Sequence, residues 1–166
     1  MEATQSVIEL VADAQTKAQA SEQRVAEIET LIAERGASEN ATKELNELLS
    51  GMEAAVVDIY SLFEARMQRN FKRGPFSRKL KALLMEAKNP DLADRIHQYY
   101  LAVNVLKHGT GASYRELVAS PSSRIVVRPV GSAAEQSTSL IDVSGIGFFD
   151  GLAEAILDAC AFLEKR

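Results

Sequence analysis

The first 70 residues carry apolar side chains at helical spacing, with one interruption. Residues 6–34 contain neither proline nor glycine, and after a break at residues 34–38 a second apolar stripe runs across residues 39–70. Apolar positions that recur every three or four residues lie on one face of an α-helix. The pattern predicts two long helices that pack as an antiparallel hairpin. The stripes comprise Ile8, Val11, Ala14, Ala18, Val25, Ile28 and Ile32, then Leu45, Leu49, Met52, Val56, Ile59 and Phe63.

Shorter helices follow the hairpin. Gly74-Pro75 ends it, because glycine permits the turn and proline cannot continue the backbone hydrogen bonds. Residues 77–88 have an apolar side of three leucines and predict a third helix. Asn89-Pro90-Asp91 then combines a capping side chain, a proline and an acid, which together favour a helix start. That helix runs to His108, with Leu92, Ile96, Tyr99, Val103 and Leu106 as its main stripe.

The last third of the chain contains both helical and strand-like sequence patterns. A short helical turn is expected around residues 114–118. Residues 124–128 and 138–143 are rich in β-branched side chains and predict a small β-hairpin, which must lie on the helices because a lone hairpin is only marginally stable. Residues 148–164 predict a closing C-terminal helix. The fold class is therefore mainly α, an antiparallel helical bundle with one β-hairpin.

Length and composition favour a single domain. The chain has 166 residues, of which 46% are hydrophobic and 25% charged, so residues 1–166 suit one core, with the hairpin over residues 1–72 and the rest of the bundle over residues 73–166. No signal peptide or bilayer-spanning run is apparent, and we expect a cytoplasmic protein without membrane contact. Cys160, the only cysteine, is interpreted as a small core residue. His97 and His108 are about 16 Å apart along one helix, so neither a metal site nor a cofactor is expected.

The helix that ends at His108 has a second face. Rotation by about 100° per residue places His97, Leu101, Asn104 and His108 opposite the main stripe. A helix that is apolar on one side and carries apolar and amide groups on the other needs packing on both sides. We therefore expect a homodimer, with this face and the alanine-rich hairpin as the surfaces that a second subunit would cover.

A basic segment stands out against the net charge of −4. Seven basic residues occur between positions 66 and 81 with no acid among them, so this segment is about +7 and the remainder, with 12 basic and 23 acidic residues, is −11. With Phe71 and Phe76 interleaved, it is a candidate site for a phosphate backbone and a stacked base. Alternatively, it is a solvated corner where both rings join two helices. The seven residues are Arg66, Arg69, Lys72, Arg73, Arg78, Lys79 and Lys81.

The candidate catalytic residues lie at the end of the predicted helix that runs to His108. An amide in an apolar helix needs a partner, and Asn104 and His108 are four residues apart, which places them on one face. A histidine near a helix C-terminus has its charged form favoured by the exposed carbonyl groups. A long helix that ends in asparagine, three residues, histidine and glycine, followed by a short hairpin and a closing helix, resembles the HEPN superfamily of helical bundles. The resemblance covers roughly residues 52–163.

The resemblance implies a function. HEPN proteins commonly dimerise through the helices that carry the motif, and many are metal-independent ribonucleases of toxin–antitoxin, abortive-infection and other defence systems. Their motif has an arginine before the polar residue, where this chain has Val103. Such an arginine would stabilise charge on the scissile phosphate, which valine cannot do. Lys107 is the adjacent cation, and Arg95 lies more than three turns from His108, so by helix geometry either would contribute only from a second subunit or not at all.

Three functions follow from these residues. The first is a HEPN-like binding or regulatory module without nuclease activity, with RNA or a protein as its partner. The second is a metal-independent ribonuclease in which His108 is the general acid or base, Asn104 orients the phosphate or the imidazole, Lys107 assists and the basic segment captures RNA. The third is a structural or assembly module built on the long hairpin. The departure at Val103 favours the first.

Overall fold

The computed structural model describes residues 2–120, 124–128, 140–145 and 147–166, with side chains from residue 6 onward. Six α-helices dominate this described part, which confirms the mainly helical prediction, the long N-terminal hairpin and the C-terminal helix. The helices are α1 (Glu2–Arg35), α2 (Glu39–Met67), α3 (Phe76–Glu86), α4 (Pro90–His108), α5 (Ala112–Ala119) and α6 (Phe148–Glu164), with a 3-10 turn over Gln68–Asn70.

The hairpin of α1 and α2 is defined by local signals at its turn and at its end. Gly36 has a φ of 82°, a left-handed conformation that glycine adopts without steric cost. Ser38 caps α2, since its hydroxyl accepts a hydrogen bond from the Ala41 N–H at 3.1 Å. The helix ends at Met67, not near residue 70, because the Asn70 amide donates to the Met67 carbonyl at 3.0 Å and a 3-10 turn follows.

Helix α4 lies at the centre of the bundle and packs against α2, α3, α5 and α6. It begins as predicted, with the Asn89 side chain accepting a hydrogen bond from the Leu92 N–H and Pro90 in the first turn. Before it, α3 ends two residues earlier than expected, because Lys88 takes a φ of 59° and leaves the helical path. Its buried residues lie on both sides: Leu92, Ala93, Ile96, Tyr99, Leu101, Ala102, Val103 and Val105.

Helix α6 has the bounds that the sequence predicts and is buried against α1, α2 and α4. Cys160 is buried within it, as expected of a core residue, and burial raises the pKa of its thiol to about 12. A thiol with such a pKa carries almost no thiolate at neutral pH and is inert. One hydrophobic cluster joins buried residues of all six helices.

The predicted β-hairpin is wrong. Residues 124–128 and 140–143 contain no strand, only one antiparallel bridge between Val127 and Ile141, and residues 138–139 lie outside the described residues. The bridge has two backbone hydrogen bonds, from the Arg128 N–H to the Leu140 carbonyl at 2.7 Å and from the Asp142 N–H to the Val126 carbonyl at 3.1 Å. Pairing stops there because the Asp142 carboxylate accepts hydrogen bonds from the Ser144 N–H and hydroxyl, which turns the chain.

Among the helices described, none combines the length and the apolar composition that crossing a membrane requires.

Candidate functional site

The C-terminal half of α4 holds the residues that the sequence singled out. Val103 is only 2% exposed and points into the core, so the position where the HEPN pattern has arginine is a packing position. Asn104 is half-buried, and its amide donates a hydrogen bond to the Ser113 hydroxyl on α5 at 3.2 Å. His108 is exposed and forms no hydrogen bond or ion pair with the residues whose positions are described. The amide thus has a partner inside the chain, whereas the imidazole faces solvent.

Helix α5 covers the second face of α4. The turn over residues 109–111 folds α5 back, and Gly109 enables it with a φ of 74°. His97 Nε2 is hydrogen-bonded to the Glu116 carboxylate of α5, and its ring stacks on Tyr100 with ring centroids 6.1 Å apart. Leu101 on the same face is 5% exposed. The packing that this face needs is therefore supplied within the chain, and it no longer argues for a second subunit.

Glu64 of α2 joins this end of α4, which the sequence analysis missed. Burial raises the pKa of its carboxyl, and the nearby ammonium group of Lys107 opposes that shift only in part. The signal in the sequence is its spacing, because Glu64 follows Tyr60 by four residues and so shares the side of α2 that meets α4. Lys107 is itself exposed and lies near a carboxylate, an arrangement that reduces its capacity to neutralise a phosphate.

Two arginines that contact α4 are engaged away from its C-terminal end. Arg95 of α4 donates hydrogen bonds to Asp91 at 2.9 Å and to Asp158 of α6 at 3.0 Å. Arg124 is bound to Asp94 and Gln98. Both guanidinium groups are thus engaged in ion pairs on the opposite half of α4, and neither is positioned to act with His108.

The seven residues of the basic segment are all exposed. None of them forms an ion pair with an acid in the described ranges, whereas Arg24, Arg95 and Arg124 do. Helix geometry divides them, because successive residues are rotated by about 100° and Lys79 and Lys81 therefore lie on flanks of α3 about 160° apart. Arg78 lies on the Lys81 flank, and Arg66 and Arg69 belong to the end of α2 and the 3-10 turn.

The flank of α3 that carries Lys79 lines a cleft of about 720 Å³, called the basic cleft below. Its cations are Lys72, Arg73, Lys79 and Arg166, the last brought in by the end of the chain and absent from the sequence prediction. Its other walls are Asn70, Phe71, Ala82, Leu83 and a single acid, Glu86. The cleft therefore combines four positive groups with an apolar wall.

The two aromatic residues of the segment have different environments. Phe76 is 4% exposed and packs edge-to-face on Phe63 at 5.2 Å and on Phe71 at 5.6 Å. It joins α3 to α2, and the hypothesis that it stacks a base is wrong. Phe71 is half-buried and lines the basic cleft, so part of its ring is accessible to a ligand.

Across the described residues, no group of three or more histidine, cysteine or acidic side chains is arranged to hold a metal ion. No family model, no curated protein and no solved structure matches this chain.

Proposed function

We propose that this protein is a non-catalytic, HEPN-like helical module that binds single-stranded RNA through the basic cleft. The observation that carries the proposal is the convergence of Lys72, Arg73, Lys79 and Arg166 on one cleft. Like charges repel, and a cleft that gathers four cations beside one acid, Glu86, creates a positive potential that an anion relieves. The HEPN resemblance gives RNA as the anion to test first.

The charge distribution supports a localised site. The whole chain has a net charge of −4, so a polyanion is repelled by most of the surface. The seven exposed basic residues lie at and beside the junction of α2 and α3, called the elbow below, which is therefore strongly positive. Nucleic acid is therefore expected to bind there in one place, with an affinity that falls steeply as salt rises.

The apolar wall supports a single strand over a duplex. In a duplex the base faces are stacked on one another, whereas an unpaired base can lie against an aromatic ring while its phosphates contact cations. Phe71 and Leu83 provide such a wall beside Lys72, Arg73 and Lys79.

The environment of α4 supports the absence of catalysis. Cleavage by attack of a ribose 2′-hydroxyl needs a group that transfers a proton and a group that stabilises the charge on the phosphate. His108 is accessible for the first role. For the second, Val103 is buried, and both Arg95 and Arg124 are held in ion pairs.

The binding test compares two variants that each lack one arginine and one lysine. Arg73→Gln/Lys79→Gln removes cations from the basic cleft, and Arg78→Gln/Lys81→Gln removes the same types from the opposite flank of α3. With a fluorescent oligouridine of about 12 nucleotides, the first variant should bind about 10-fold or more weakly, since phosphate contacts dominate affinity. Its slope of log affinity against log salt should be shallower by about 1.4, or about 0.7 for each phosphate that no longer meets a cation.

The flank variant should bind within about threefold of the parent, because its charges are screened from the cleft. Equal losses of affinity in the two variants would show that RNA senses only the general charge of the elbow. No binding by the parent at low salt would exclude RNA and leave a protein partner or an assembly role.

The same RNA reports on catalysis. Parent protein incubated with single-stranded and structured RNA in EDTA should leave it intact. Cleavage that yields 2′,3′-cyclic phosphate ends, and that is abolished in His108→Ala but kept in His97→Ala, would instead support the ribonuclease alternative, since removing a general acid or base costs about 100-fold or more.

A further inference from the structure

Glu86 is the acid among the described residues that line the basic cleft. It is exposed, and its side chain forms no ion pair or hydrogen bond with any residue whose position is described, although four cations line the same cleft. An acid in the last turn of α3 also gains nothing from the helix, because the exposed carbonyl groups there carry partial negative charge. Contacts within the described part of the chain therefore do not explain this carboxylate.

Helix α3 presents three kinds of side chain to the basic cleft, one after another along its axis. Lys79, Leu83 and Glu86 are spaced by four and by three residues, so they lie on one face of the helix. Seven residues separate Lys79 from Glu86, which is about 10 Å along the axis. The order is a cation, an apolar side chain and a hydrogen-bond acceptor.

A nucleotide has the matching order of groups. Its phosphate is an anion, the face of its base is apolar, and the far edge of its base carries hydrogen-bonding groups. With the phosphate at Lys79 and the base against Leu83 and Phe71, the edge of the base lies beside Glu86. The carboxylate is then placed to read which base is bound.

The four bases differ in what their edges offer to a carboxylate. Guanine has two adjacent donors, the N1–H and the N2 amine, from which the two carboxylate oxygens accept parallel, charge-assisted hydrogen bonds. Adenine and cytosine each have one amine beside a ring nitrogen that only accepts. Uracil has a single N–H between two carbonyl groups. Guanine is therefore the base whose edge complements both carboxylate oxygens.

We propose that Glu86 makes the basic cleft selective for guanine, an inference that rests on the proposed binding of single-stranded RNA. The cations of the cleft hold the phosphates, and Phe71 and Leu83 form the wall against which the base lies. The Glu86 carboxylate accepts hydrogen bonds from the guanine N1–H and N2 amine. Because it also repels phosphate, it weakens binding of every strand, and only guanine offsets that repulsion with two hydrogen bonds.

The test uses fluorescent oligouridines of about 12 nucleotides, in which one central nucleotide is uridine, guanosine, inosine, adenosine or cytidine. The single guanosine avoids the four-stranded structures that runs of guanine form. The parent should bind the guanosine strand about 10-fold more tightly than plain oligouridine, which is the scale of a bidentate contact to a base. Inosine lacks the N2 amine, so its strand should lose most of this preference.

Glu86→Gln separates base selection from charge. Glutamine has one acceptor oxygen and an NH₂ group that only donates, so the preference for guanosine should fall to about threefold or less. Plain oligouridine should bind this variant at least as tightly as the parent, because a negative charge has been removed from the cleft. If Glu86 only moderates the charge of the cleft, the variant will instead bind all strands more tightly by the same factor.

Glu47→Gln is the matched control, since it makes the same change at an exposed position of α2 outside the basic cleft. It should alter neither affinity nor preference, and circular dichroism checks that both variants are folded. A parent that binds all strands equally, or prefers another base, overturns the inference and leaves RNA binding in place. So does a guanosine preference that inosine shares or that Glu86→Gln retains. A parent that binds none of the strands at low salt overturns the proposed function and this inference together.

Discussion

Gly151 illustrates how one residue of α6 fixes the packing of α4. A Cβ atom at this position would lie 2.2 Å from the Tyr99 hydroxyl oxygen and 3.4 Å from the ring carbon that bears it. Tyr99 is 1% exposed, and its hydroxyl donates to the Phe148 carbonyl at 3.3 Å. The ring cannot move aside, so only glycine permits this approach of the two helices.

Gly151→Ala is therefore expected to destabilise the fold. Overpacking costs about 1–3 kcal/mol, which exceeds the gain of about 0.8–1.0 kcal/mol for alanine over glycine within a helix. Denaturant titration should show a lower free energy of unfolding. Gly51→Ala is the control: nothing lies within 4 Å of the added Cβ, and the change should stabilise α2.

A second substitution isolates the cause. Tyr99→Phe removes the oxygen that the new methyl group would meet, and the remaining ring carbon lies at 3.4 Å. Gly151→Ala should then lower the free energy of unfolding less in the Tyr99→Phe background than in the parent, so the two substitutions should be non-additive in a double-mutant cycle. Equal costs in both backgrounds would contradict the steric explanation.

At the residue scale, the sequence placed Asn104 and His108 on one face of a helix but did not predict their surroundings. Asn104 and His108 share a face because helix periodicity is local. Their different environments arise from the turn after Gly109, which brings Ser113 to Asn104 and leaves His108 exposed. The path of a turn depends on what it packs against, and no periodicity encodes it.

At the element scale, the capped start of α4 followed from local rules, whereas the last residues of α2 and α3 and the two strands did not. Asn89 was predicted as a cap and is one, because its side chain needs only the first turn of its own helix. β-branched residues favour strands only through the half-buried surface that a strand provides. Here Ile125, Ile141 and Val143 are buried without a ladder, so the composition reports burial and not pairing.

The side-chain caps of α2 and α4 lie in different parts of the fold. Ser38 caps α2 at the hairpin turn, where Arg24 of α1 holds Glu44 of α2 through two hydrogen bonds. Asn89 caps α4, the central helix. Removal of either cap by alanine costs about 0.5–2 kcal/mol.

Hydrogen exchange should separate the two effects. Ser38→Ala is expected to speed exchange of amides near the hairpin turn and to leave the slowest core amides nearly unchanged, since this end can open locally. Asn89→Ala should instead speed exchange throughout the bundle. A Ser38→Ala variant that also destabilises the core amides would show that the hairpin turn unfolds only with the whole molecule.

At the scale of the whole molecule, positive charge is concentrated in residues 66–81, whereas the rest of the chain has a net negative charge. The sequence predicted the positive segment at residues 66–81, because charge can be counted along a chain. Helix periodicity already separates Lys79 from Lys81, but the sequence could not predict that Arg166 joins the basic cleft, because that contact depends on the packing of distant elements. A groove between α1 and α2 was equally hidden, since it is lined by small residues of two helices that meet only in the fold, Ala14, Ala18, Gly51 and Ala55.

Burial of Glu64 links the stability of the whole fold to pH. Because burial raises the pKa of this carboxyl above its ordinary value of 4.5, the folded state holds the proton more tightly than the unfolded chain does. The contribution of Glu64 to stability is then greatest below pH 4.5, falls as pH rises through the interval up to the raised pKa, and is constant above it.

Glu64→Gln removes this titration and keeps the shape of the neutral acid. The variant should become progressively more stable than the parent as pH rises through that interval, measured by denaturant titration from about pH 4 to pH 8. Glu47→Gln, on the exposed face of the same helix, is the control measured in parallel. A difference for Glu64→Gln that shrinks with rising pH would mean that attraction to Lys107 outweighs burial, because a carboxylate stabilised in the folded state gives the opposite sign.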